Sequence, residues 1–134
     1  MRAVAKPMLL EAFLDWESQQ EHNYEFDGFQ PVGMTGRIAA HAGIQFDLLG
    51  LLFARLRGHR CRAYSSGLKI QVAGRIRYPD AFIVCSAVPP GATVVHDPVV
   101  VFEVLSPGTA GTDHFEKNLE YRDMPSIQRY GMLE

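Results

Sequence analysis

Two stretches, Arg77-Tyr78-Pro79-Asp80-Ala81-Phe82-Ile83-Val84-Cys85 and Pro98-Val99-Val100-Val101-Phe102-Glu103-Val104-Leu105-Ser106, decide how this chain folds. Each is short, rich in β-branched and aromatic residues, and carries one acid among apolar neighbours. Turn chemistry bounds them, at Pro89-Pro90-Gly91 between the two and at Ser106-Pro107-Gly108 after the second. Such runs are buried strands. Paired antiparallel with their ends matched, they set Tyr78 against Leu105 and Val84 against Val99, and Asp80 then falls opposite Glu103. Alternation puts Asp80, Phe82 and Val84 on one face with Glu103, Val101 and Val99, while Ile83 and Phe102 point to the other. Apolar side chains on both faces predict a central sheet covered on both sides.

Directly opposed residues have Cβ atoms about 5 Å apart, where two like charges are destabilising unless something positive lies between them. A divalent cation would remove that conflict, and carboxylate oxygens suit a hard ion such as Mg²⁺ or Mn²⁺. The alternative is structural: Asp80 caps a turn after Pro79, and Glu103 meets an arginine from a helical layer. The two strands alone leave both readings open.

The rest of the chain fits around this pair. A length of 134 residues predicts one domain over 1–134, and 47% hydrophobic with 21% charged residues is ordinary globular composition. A net charge of -2 gives no global case for nucleic acid but leaves room for a local basic groove. No run approaches a membrane span, and no secretory leader is visible, so the expected address is the cytoplasm, without a membrane partner. Cys61 and Cys85 are too few for a disulfide framework and predict reduced core thiols.

Leu9, Leu10, Phe13 and Leu14 recur at helical spacing and predict an amphipathic helix over about 8–20. Asn23 to Phe29 alternates in period two and turns at Asp27-Gly28, a hairpin whose second strand runs to about Met34. Within it Tyr24 and Phe26 share one face, and Glu25 faces either solvent or the pocket of Asp80 and Glu103. A long helix follows Gly36 and ends near Gly58, with His41 in its first turns and a basic exit through Arg55, Arg57, Arg60 and Arg62. Strands are expected at about 60–64 and 68–72, turning at Ala73-Gly74, and Arg75 and Arg77 flank the approach to Asp80. After Glu103, Asp113 and Glu116 form a capping-box pattern that opens a helix. There Phe115 and Leu119 face the core, and Asp113, Lys117 and Tyr121 make a separate stripe. Ile127 to Leu133 forms a final short element.

This ordered set resembles the Uma-two family of restriction endonuclease-like proteins, within the PD-(D/E)XK nuclease superfamily. The likeness rests on Phe13-Leu14-Asp15-Trp16-Glu17, Tyr24-Glu25-Phe26-Asp27-Gly28, His41, Tyr78-Pro79-Asp80, Glu103-Val104-Leu105-Ser106-Pro107, Asp113, Glu116-Lys117 and Tyr121. It implies a mixed α/β fold of restriction-endonuclease type: a central mixed sheet flanked by helices, preceded by an N-terminal helix and hairpin. It further implies a metal-dependent endonuclease acting on nucleic acid, DNA first, with Asp80 and Glu103 on Mg²⁺ or Mn²⁺ and Glu25 as an additional acid. The superfamily lysine two residues after the second acid is replaced here by Leu105, and Lys117 is its match on the following helix. His41 matches a recurrent family histidine, with Tyr121 a further candidate. Arg55, Arg57, Arg60, Arg62, Arg75 and Arg77 are candidates for the nucleic-acid backbone. The alternative is a catalytically silent nuclease fold that binds nucleic acid or protein. Longer relatives continue into further strands, so an open sheet edge is expected here, either covered by a homodimer or marking a truncated product.

Overall fold

The computed structural model describes residues 6–34, 38–105, 117 and 120–133. The expected capping box at Asp113 and Glu116, and the core positions Phe115 and Leu119, lie outside the described residues.

The chain opens with α1 (Leu10–Glu17), followed by β1 (Tyr24–Phe26) and β2 (Pro31–Gly33). The two strands form the hairpin read from their alternation, with Tyr24 opposite Gly33. Asp27 closes its turn by accepting from the N–H groups of Phe29 and Gln30, at 2.8 and 2.9 Å, while Gly28 takes a φ of 98° that a Cβ would disfavour. The apolar face of the hairpin meets α1: Phe13 stacks on Phe26 at 4.8 Å, and Trp16 stands edge-on to Tyr24 at the same distance. That docking turns Glu25 inward.

Next come α2 (Ala39–Leu56), β3 (Arg62–Ser65), β4 (Lys69–Val72), β5 (Arg75–Arg77), β6 (Ala81–Val84), β7 (Val94–Val95), β8 (Val100–Val104) and β9 (Arg129–Leu133). They make two sheets, ordered β2-β1-β5-β4-β7 and β3-β6-β8-β9. In the second sheet Ala81 pairs with Phe102 and Phe82 with Val101, the register read from the two stretches. All four residues of β6 are buried. Phe82, Val84 and Val101 pack against Ile70, Val72 and Val95 of the other sheet and against Tyr121, and α2 lies on β3, β6 and β8.

Two features depart from the sequence reading, and the final element, left without a type there, acquires one. β7 pairs in parallel with β4, a contact that no turn signal announces. The final element is a strand, β9, running parallel beside β8. Cys61 and Cys85 are not reduced thiols but a disulfide, because the β3–β6 register that sets Arg62 against Val84 brings the next pair outward face to face. Among the described residues no helix is long and apolar enough to cross a membrane.

Candidate active site

Pro79 ends the approach from β5, and Asp80 sits at the entrance of β6 with 1% of its surface exposed. One carboxylate oxygen, Oδ2, accepts the backbone N–H of Val104 at 2.7 Å, which ties Asp80 to the strand carrying Glu103. The other, Oδ1, lies 3.2 Å from Nε2 of His41, on the first turn of α2. Gln45, one turn further along the same helix, donates to the main-chain carbonyl of Asp80 at 2.8 Å. Helix and strand are thus locked together at the acid.

Glu103, Glu25, Lys117 and Tyr121 complete the cluster. Lys117 Nζ stands 3.2 Å from Glu25 and 3.9 Å from Glu103, and the Tyr121 hydroxyl donates to Glu103 at 3.2 Å. Lys117 and Tyr121 reach the same carboxyl because they are four residues apart on a helical segment. Burial pushes the Glu103 carboxyl up to about 8; Lys117 pulls against this, while Asp80 and Glu25 add to it. Burial likewise holds the Tyr121 phenol well above its ordinary range, with Glu103 and Glu25 reinforcing it, so this group donates rather than ionises.

Asp80 and Glu103 supply oxygen donors of the kind a hard cation takes, and among the described residues no group of three or more His, Cys, Asp or Glu side chains could hold an ion by itself. Both carboxyls are buried, and burial is the main reason that the Glu103 carboxyl is raised, with Lys117 opposing it. Among the described residues, both ring nitrogens of His41 are also buried without a hydrogen bond, although Nε2 lies 3.2 Å from Asp80. A polar group left in that state costs roughly 1–3 kcal/mol.

A family model, Uma2, described as "Putative restriction endonuclease", matches residues 10–134. The chain belongs to the Uma2 family. An uncharacterised protein of Synechocystis sp. is 28% identical over 143 residues, an alignment spanning 100% of this chain and 80% of the relative. A crystal structure described as a putative nuclease belonging to DUF820, from Anabaena variabilis ATCC 29413, superposes with a TM-score of 0.72 at 21% identity. That match covers 84% of this Uma2 chain and 66% of the other, and it shows the mixed α/β fold that the two share.

Within the Uma2 fold, Glu25, His41, Asp80, Glu103, Lys117 and Tyr121 gather in one place. Of the six candidate arginines, Arg77 joins them and the other five do not. Arg55, Arg57, Arg60 and Arg62 are exposed at the far end of α2 and β3, about 20 Å along the helix from His41. Arg75 is half-buried, bonded to the carbonyl of Asp27 and 3.3 Å from Glu120. Arg77 is buried between Glu25 and Glu120. Burial works against its charge, and the bonds to Glu120 and Glu25 more than offset this, so its pKa lies above the ordinary value. Arg77 therefore orients Glu25 from inside the protein.

The sequence reading missed Glu120, Gln45 and Tyr78. Tyr78 donates its backbone N–H to Glu25 at 2.9 Å and its hydroxyl to Glu17 at 2.8 Å, and Glu17 also receives Lys69 at 3.0 Å. Helical spacing carried the available signal: Glu120 is one turn from Lys117, and Gln45 one turn from His41.

Proposed function

We propose that this Uma2 protein is a metal-dependent endonuclease that hydrolyses phosphodiester bonds of DNA, with Asp80 and Glu103 holding Mg²⁺ or Mn²⁺. The observation carrying this reading is the pair of opposed, buried carboxylates with Lys117 between Glu103 and Glu25. When bound, such an ion polarises a phosphate oxygen and lowers the pKa of a bound water.

The chain's own groups do the rest. The Val104 N–H holds Asp80 in one orientation with His41 Nε2 beside its other oxygen, and Tyr121 holds Glu103. Lys117 presents its ammonium where negative charge develops on the attacking oxygen or the phosphate. Glu25, fixed by Arg77 and Tyr78, keeps Lys117 in place. Arg55, Arg60 and Arg62 contact the phosphate backbone away from the scissile bond, which gives affinity without sequence readout. Such a substrate implies the cytoplasm, where the Cys61–Cys85 bond meets a reducing thiol pool.

The test is cleavage of supercoiled plasmid, single-stranded DNA and RNA with Mg²⁺ or Mn²⁺, by wild type, Asp80→Ala and Glu103→Ala. Metal-dependent nicking that both variants lose, by a hundredfold or more on the order expected for such sites, supports the assignment. Cleavage that survives Asp80→Ala refutes it. DNA binding without cleavage under any metal would favour the silent module, a reading motivated by Leu105 standing where the superfamily lysine is usual.

A further inference from the structure

Between Ile38 and Ala54 the only charged residue of α2 is Asp47. The helix lies on β3, β6 and β8, yet His41 is its one buried residue. Ile44, Gln45, Leu48, Leu49, Leu52 and Leu56 are half-buried and form the stripe toward the sheet. The opposite stripe is Ala39, Gly43, Phe46, Gly50, Phe53 and Arg57, spaced alternately by four and three residues and exposed throughout. Phe46 is 77% and Phe53 69% exposed.

The side of a helix turned away from its sheet ordinarily carries charge. Here it carries two phenylalanines and two glycines. A Cβ added to Gly43 or Gly50 would meet nothing within 4 Å, so neither glycine serves packing inside the described protein. Each nonetheless costs about 1 kcal/mol of helix propensity relative to alanine.

We propose that this stripe joins two copies of the chain, α2 against α2 in antiparallel orientation, with Phe46 seated on Gly50 of the partner subunit and Phe53 on Gly43 of the partner subunit. The pattern itself selects a second copy as the occupant. A two-fold axis requires that if one position meets another, the reverse contact also forms. Both large-on-small pairs are centred on residue 48, so a single axis at that level satisfies them together. Alternating spacings of three and four are those of a helix–helix seam. The four phenylalanines would withdraw on the order of 500 Å² from water, toward the roughly 1,200 Å² of a small stable interface. Ile38 and Leu51, each 56% exposed, border the stripe and extend it. The homodimer expected at a sheet edge thus moves to a helix face. His41 and Asp80 lie on the inner side of the same helix, so association leaves the candidate site unobstructed.

The test is sedimentation velocity on wild type, Phe46→Glu/Phe53→Glu and Gly50→Leu across micromolar to submillimolar concentrations, with far-UV circular dichroism of each. Wild type should sediment at twice the 15.0 kDa chain mass, and the double variant as a monomer with an unchanged spectrum. Gly50→Leu adds helix propensity and apolar surface but fills the cavity that Phe46 needs, so its dimer dissociation constant should rise at least tenfold without loss of helix signal. A monomeric wild type at the highest concentration overturns the proposal, and would leave the stripe to a different partner. A Gly50→Leu dimer as tight as wild type or tighter also overturns it, because generic stickiness rewards added leucine whereas knob-and-hole packing does not.

Discussion

Replacing Glu103 with Gln should abolish a pH-dependent loss of stability that the wild-type protein undergoes as its buried carboxyl ionises. In the folded protein that group sits at about 8, against 4.5 for the ordinary carboxyl. Between those values the folded state keeps a proton that the unfolded chain has released. The unfolding free energy therefore falls as pH rises, by at most about 1.4 kcal/mol per pH unit. The stabilisation is fully present below 4.5, declines across the interval and is gone above about 8. Integrated, this is on the order of 5 kcal/mol as an upper bound, reduced by whatever water and relaxation the charged form admits. The assay is urea unfolding followed by fluorescence of Trp16, the sole tryptophan, from pH 5 to 9 on wild type and Glu103→Gln. The histidines are common to both proteins, so the difference between the curves isolates Glu103. Wild type should lose several kcal/mol relative to the variant by about pH 9, and saturating Mn²⁺ should restore much of it by binding the folded state. Parallel curves for the two proteins would refute the reasoning, because Glu103 would then ionise alike in the folded and unfolded chain.

Lys117→Met keeps chain length but removes the cation that Glu25 and Glu103 share; urea unfolding near pH 9, above the Glu103 value of about 8, should show a loss of about 3 kcal/mol, and a loss below about 1 kcal/mol would mean that Lys117 does not compensate these acids. His41→Leu removes two ring nitrogens that make no hydrogen bond among the described residues, so stability should change by less than about 1 kcal/mol while plasmid nicking drops; a large destabilisation would instead make His41 a structural partner of Asp80. Reduction, or Cys61→Ala/Cys85→Ala, opens a loop with a sequence separation of 24 and should cost about 3 kcal/mol in urea unfolding; identical oxidised and reduced midpoints would show that this bond does not form in solution.

Much of the site was legible because its two acids lie on neighbouring strands of short period. The alternation in 77–85 and 98–106, with turn residues on either side, sets Asp80 against Glu103 when the ends are matched, a register that a slip of one residue would break and that the pairs Ala81–Phe102 and Phe82–Val101 share. Likewise α1, the hairpin and α2 follow from periodicity and from Gly28. Glu25 is different. Its alternation showed which side of the hairpin it occupies, but whether that side is solvated depends on β1 pairing with β5, where Phe26 meets Ile76.

The remaining features depend on contacts between distant residues. Arg77 meets Glu120 across 43 positions, and Tyr78 meets Glu17 across 61. The strands β7 and β9 run parallel to β4 and β8 respectively, so no hairpin turn marks their partners. Cys61 and Cys85 come together only through the β3–β6 register. What the sequence determined by itself was the local period of each segment and therefore which face each acid takes. Which groups stand beside those acids was decided by tertiary structure, because a side chain's charge partners are set by how sheets and helices dock, and docking is driven by apolar area that carries no record of which polar groups it will bring together.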